Sequence, residues 1–164
     1  MNEALRHAMA PVLRDLRAAG ITAPRIENDD WTGDPGQPSA MMWSRHGNGA
    51  GVSVLLSEPE WERVASAADQ VQDWVIEELW GRAPTNWPRC PRHPDNHPMA
   101  AICRDEVAVW ACPADGVAVC EIGKLSVPPE SPATEWADRM ALNKDRDRAR
   151  TAVPDPDLCC RLSE

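Results

Sequence analysis

The segment from Cys90 to Gly116 constrains the fold of this chain most, because cysteines and histidines recur there at short spacings beside prolines. Two residues separate Cys90 from His93, and three more separate His93 from His97. Cys112 then opens a second turn, Cys-Pro-Ala-Asp-Gly. Short turns of this kind supply two metal ligands at once, and two such turns complete the four ligands of a tetrahedral zinc ion. The segment therefore predicts one structural Zn²⁺ site.

The spacing assigns three of the zinc ligands and leaves two alternatives for the fourth. Cys90 and His93 come from the first turn, and Cys112 comes from the second. His97 is a usual zinc ligand and lies close behind His93, whereas Asp115 holds the better position within the second turn. We take His97 as the fourth ligand and keep Asp115 as the alternative.

The second turn resembles the Cys-Pro-x-Cys-Gly knuckle of rubredoxin-like zinc ribbons, with Asp115 standing where the second cysteine would be. Two apolar stretches lie between the turns, in "MAAICRDEVAVWA", and a third, "VAVCEIG", follows. The resemblance implies a three-stranded zinc-ribbon-like module over residues 84–125. It implies no biological role, since such modules serve many functions. The chain also resembles proteins of actinobacteria and their phages, which adds no function.

A catalytic zinc site keeps one position open and has a general base beside it. Glu106 and Glu121 are the only glutamates of residues 84–125, and no spacing places either one at the metal. The motifs of zinc proteases and zinc deaminases are absent from the sequence. We therefore expect a structural metal and no enzyme activity. Cys103 and Cys120 lie in the apolar stretches and are predicted to be core thiols.

Residues 1–82 predict an α+β domain, a small antiparallel sheet covered by two helices. The first helix is predicted from Asn2 to about Ala19, and Pro11 predicts either a kink or a later start near Ala10. The second helix is predicted to open at "SEPEW" with a capping box of Ser57 and Glu60. Three strand-like stretches lie between the helices.

Residues 126–164 predict a largely flexible tail that includes one short amphipathic helix. Trp136 is the largest apolar side chain of this tail and is poorly placed for burial, so we predict that it contacts a partner.

The net charge is −9, and residues 1–82 hold seven arginines against thirteen acids. Such a field repels phosphate backbones and attracts basic protein surfaces, so nucleic acid is disfavoured as a partner and protein is favoured. No apolar signal segment opens the chain and no stretch is apolar enough to span a membrane, so we expect a cytoplasmic protein.

These features predict a non-catalytic, zinc-stabilised protein that acts as an adaptor or regulator through protein–protein contact. Two alternatives stay open: a small metal-dependent enzyme and a zinc ribbon that binds nucleic acid. The sequence does not indicate an oligomeric state.

Overall fold

The computed structural model describes residues 1–80, 83 and 85–126, which form two helices and two three-stranded antiparallel sheets. This confirms the predicted α+β class. The predicted tail helix and Trp136 lie outside the described residues.

Helix α1 spans Glu3–Ala18. The side chain of Asn2 caps it by accepting a hydrogen bond from the N–H of Ala4 at 2.8 Å, which confirms the predicted start. The helix continues through Pro11, so the alternative start near Ala10 is wrong. Burial of the apolar stripe on both sides of the proline stabilises the helix by more than the loss of one backbone hydrogen bond destabilises it. Its buried members are Leu5, Met9, Val12 and Leu16.

The first sheet contains β1 (Arg25–Asn28), β2 (Ser39–Trp43) and β3 (Gly49–Ser53), in that order. Alternate residues of β2 and β3 are buried against the helices, as the period of two requires. These are Ala40, Met42 and Val52, each 0% exposed. The opposite face of the sheet is the outward face.

Helix α2 spans Glu60–Leu79 and starts without the predicted capping box. Its N-cap is Pro59, and no side chain caps the first turn. A residue that precedes a proline is driven away from helical geometry, so Glu58 cannot continue a helix begun at Ser57. The N-cap therefore falls at Pro59, two residues later than the capping-box spacing indicated.

The second sheet contains β4 (Ala100–Arg104), β5 (Val107–Ala111) and β6 (Ala118–Glu121), again in chain order. A tight turn at Asp105 and Glu106, both with positive φ, joins β4 to β5. The order of turn, hairpin, turn and strand is the one predicted for the module that contains Cys90 and Cys112.

Met1–Ser126 form one compact unit in which α2 packs against α1 and against both sheets. Gln72 of α2 is 5% exposed, and its amide donates to the carbonyls of Trp87 at 3.0 Å and Met99 at 2.6 Å. In the same way, the carboxylate of Asp15 in α1 accepts a hydrogen bond from the indole N–H of Trp110 in β5. Residues on both sides of the boundary predicted at 82–84 thus belong to one hydrophobic core.

Candidate metal centre

Four side chains converge between the two turns: Cys90, His93, His97 and Cys112. One donor atom from each lies within 4.8 Å of the other three. The sulfur of Cys112 is 3.3 Å from Nδ1 of His93 and 3.9 Å from Nε2 of His97. Both cysteines are fully buried and both histidines are half-buried. The cluster could hold a metal ion.

The loop that carries three of these residues is closed at its base by backbone pairing. Arg89 and Pro98 form an isolated antiparallel bridge, and the N–H of Met99 donates to the carbonyl of Pro88 at 2.7 Å. Within the loop, the guanidinium of Arg89 donates to the carbonyl of Pro94 at 3.0 Å. This closure brings Cys90 and His97 to the same side of the loop, although six residues separate them in sequence.

Each histidine presents a different ring nitrogen to the cluster. Nδ1 of His97 lies 2.9 Å from the carbonyl of Pro98, so a proton on Nδ1 donates there and leaves Nε2 free to bind a metal. His93 instead presents Nδ1, the atom nearest Cys112. The two rings lie side by side, with centroids 5.1 Å apart. A hydrogen bond to the non-ligating nitrogen is the usual way in which a protein orients a histidine ligand.

The second turn folds tightly around Cys112. The N–H of Gly116 donates to the carbonyl of Cys112 at 2.8 Å, and Gly116 has a φ of +70°, which glycine adopts without strain. Burial raises the pKa of the Cys112 thiol, while the backbone N–H groups of Asp115 and Ala114 point at the sulfur and act in the opposite direction. Those two donors would stabilise a thiolate, the form in which cysteine binds a metal.

Asp115 is not one of the four clustered side chains, although it contacts Cys112. Its carboxylate accepts the N–H of Val117 at 3.0 Å and pairs with Arg92 at 2.7 Å. The Val117 N–H, and after it the contacts with Cys112 and Arg92, hold the pKa of Asp115 below its usual range. The ion pair connects the two turns, since Arg92 precedes His93 and Asp115 follows Cys112. Sequence reasoning missed Arg92, although a cation next to a ligand turn was a usable signal.

The remaining side chains of interest lie away from the cluster. Glu106 is in the turn at the far end of the β4–β5 hairpin, and Glu121 pairs with Lys124. Cys120 is partly buried. Cys103 is exposed, so its prediction as a core thiol is wrong. It occupies β4, an edge strand, and its sulfur donates to the carbonyl of Trp61 at 3.5 Å.

Fold and site together define an α+β protein with a Cys₂His₂-type group that could bind a metal ion. No protein-family model, no curated protein and no solved structure matches the chain. Among the described residues, no helix is long and apolar enough to cross a membrane.

Proposed function

We propose that this chain is a non-catalytic protein that acts through contact with a protein partner and is stabilised by one Zn²⁺. The observation that carries the proposal is the complete set of four nitrogen and sulfur donors on two turns. With zinc–sulfur bonds of about 2.3 Å and zinc–nitrogen bonds of about 2.05 Å, a tetrahedral site separates a sulfur and a nitrogen ligand by about 3.6 Å. The separations of 3.3 Å and 3.9 Å around the sulfur of Cys112 lie on either side of this value.

A structural role for the metal is favoured because the protein itself would supply all four ligands. Four protein ligands leave no open position for a substrate or an activated water. Asp115 is the carboxylate next to Cys112 in sequence, and it is already engaged by Arg92 and the Val117 N–H. The group of donors found among the described residues includes no carboxylate. These features favour a structural site over the metal-dependent enzyme.

The charges of residues 84–125, which contain the Cys/His cluster, favour protein over nucleic acid as the partner. Three of the cations in this range form ion pairs: Arg89 with Asp95, Arg92 with Asp115, and Lys124 with Glu121. The fourth, Arg104, donates to the carbonyl of Gly116 at 2.8 Å. A phosphate backbone would have to displace these contacts and approach a chain of net charge −9. A basic protein surface meets no such barrier.

Purified full-length protein is expected to carry about one zinc per chain, because four preorganised donors complete a tetrahedral shell. Elemental analysis after purification without chelators measures the ratio. The His93→Ala variant should lose most of the zinc, and the His46→Ala variant, with an exposed histidine in the β2–β3 turn, should keep it. Metal-free wild-type protein, or equal zinc in both variants, would contradict the proposal.

The partner complex is expected to weaken as salt rises, because an acidic chain is steered to a basic surface by charge. Affinity capture from the native host over a salt series, followed by binding measurements with the purified partner, tests this. Trp136→Ala should loosen the complex, since tryptophan is a typical contact anchor at protein interfaces. Tight binding to DNA or RNA at physiological salt, or hydrolysis stimulated by zinc, would favour one of the two rival functions.

A further inference from the structure

Two indole rings cover alternate residues of β3 on the outward face of the first sheet. The ring of Trp43 covers Gly49 so closely that a Cβ on that glycine would stand 2.5 Å from it. The ring of Trp31, which follows β1, covers Gly51 in the same way, at 2.9 Å. Because Gly49 and Gly51 are two residues apart on β3, their open sides point to the same face, about 7 Å from each other. We call these four residues the tryptophan face.

Trp31 is held in place and is nevertheless half exposed. Its Nε1–H donates to the carbonyl of Ala40 at 3.3 Å, and Gly51 provides the flat surface beneath the ring. Even so, 50% of the residue remains accessible to solvent. A large aromatic side chain that is already fixed loses little conformational entropy when a partner covers it. Trp31 therefore has the properties of a binding anchor.

Trp31 lies in an acidic stretch of the sequence. Arg25 of β1 is paired with Glu27 at 3.1 Å and lies 6.0 Å from the ring centre of Trp43. Within the described part of the chain, no cation forms an ion pair with the three aspartates that flank Trp31 in sequence. These aspartates, all exposed, are Asp29, Asp30 and Asp34.

We propose that the tryptophan face binds an extended, arginine-containing segment of a protein partner; this inference rests on the proposed interaction function. A guanidinium group is planar, stacks on an indole ring and pairs with carboxylates through two parallel hydrogen bonds. The exposed ring of Trp31 would take the first contact, and the exposed carboxylates that flank it in sequence would take the second. The same carboxylates repel phosphate groups, so the flat rings are not a platform for nucleic-acid bases.

Fluorescence anisotropy with a labelled peptide tests the proposal on the full-length, zinc-loaded protein. The peptide has about eight residues in which arginine alternates with serine, long enough when extended to cross the sheet. Trp31→Ala should weaken binding about tenfold, which corresponds to about 1.4 kcal/mol. Trp80→Ala is the matched control, because Trp80 is 76% exposed but lies at the end of α2, and this variant should bind like wild type.

Two further comparisons keep the test independent of how the Trp31→Ala variant folds. The double variant Asp29→Asn and Asp30→Asn should bind about fivefold more weakly and with less dependence on salt. Glu77→Gln, at an exposed acid of α2, is its control. A peptide with lysine in place of arginine should bind more weakly to wild type, since an ammonium group does not stack on the indole.

The proposal is overturned if the arginine peptide shows no saturable binding up to about 1 mM, or if Trp31→Ala and Trp80→Ala bind it equally. Preferential binding of a single-stranded oligonucleotide or a neutral oligosaccharide at Trp31 would overturn it as well. A native partner that binds Trp31→Ala as tightly as wild type would refute a role for the tryptophan face in binding. It would leave the proposed interaction function intact. Catalytic turnover by the zinc-loaded protein would refute the proposed function whatever the peptide does.

Discussion

The Cys112→Ser variant is expected to lose its zinc and to unfold at a temperature roughly 10–20 °C below the wild type. Removing a structural metal is one of the few single changes that cost about 4 kcal/mol or more. For a domain of this size, each kcal/mol shifts the melting temperature by about 3–5 °C. Cys112 directly follows β5, and β4 and β5 pack against α2, so the loss should spread beyond the cluster. Circular dichroism during heating gives the shift, and hydrogen exchange shows which elements open.

Cys103→Ser is the matched control, because Cys103 is an exposed thiol of the same module and lies outside the cluster. It should retain both the zinc and the melting temperature of the wild type. If opening is confined to β4–β6 while α1 and α2 stay protected, the Cys/His segment is a separate module, as the predicted boundary at 82–84 requires. An unchanged melting temperature in Cys112→Ser would argue against a structural metal.

The Asp15→Ala variant is expected to lower the free energy of unfolding by about 4 kcal/mol. Asp15 is 1% exposed and accepts three hydrogen bonds from residues that are distant in sequence. The Trp110 indole donates at 2.7 Å, the Gly123 N–H at 2.7 Å and the Leu125 N–H at 2.9 Å. Removing the carboxylate leaves one buried and two part-buried donors without an acceptor. A buried donor without an acceptor costs about 1–3 kcal/mol, and a part-buried one costs less.

Urea denaturation measures this effect, because the shift in the midpoint reports stability when the slope is unchanged. Asp15→Asn keeps one oxygen acceptor and should lose about half as much. Asp73→Ala is the control, since Asp73 is an exposed helical aspartate, and it should change stability by no more than about 0.5 kcal/mol. A loss below about 1 kcal/mol in Asp15→Ala would show that the three bonds contribute little.

The helices and strands could be predicted because their signals are local. The stripe Val64, Ala68, Val71 and Val75 has helical spacing, and all four residues are buried in α2. This stripe does not include Gln72 and Trp74, which are also buried. They are buried because α2 packs against two sheets and α1 at once, and a single amphipathic stripe describes a helix with one covered face.

The long-range polar contacts could not be predicted for a related reason. Asp15 bonds to residues 95 to 110 positions away, and Gln72 bonds to carbonyls 15 and 27 positions away. A buried polar residue within an apolar stripe needs a partner, but its spacing does not identify one. The start of α2 was predicted wrongly because the capping-box spacing does not take account of Pro59. The proline keeps the preceding residue, Glu58, out of helical geometry.

The cluster could be predicted because short turns place neighbouring residues together whatever the rest of the fold does. The choice between His97 and Asp115 depended on contacts that the sequence does not contain. The structure brings Nε2 of His97 to the cluster and engages Asp115 with Arg92. The assignment of the fourth ligand stays a prediction, and it belongs to the central claim that this chain holds a closed zinc site.

X-ray absorption at the zinc edge of the full-length protein tests that claim most directly. We expect two sulfur ligands at about 2.3 Å and two nitrogen ligands at about 2.0–2.1 Å. Asp115→Ala should leave this spectrum unchanged, whereas His97→Ala should remove one of the two nitrogen ligands. A shell with a single sulfur, a shell dominated by oxygen, or a spectrum that changes in Asp115→Ala and not in His97→Ala would contradict the account.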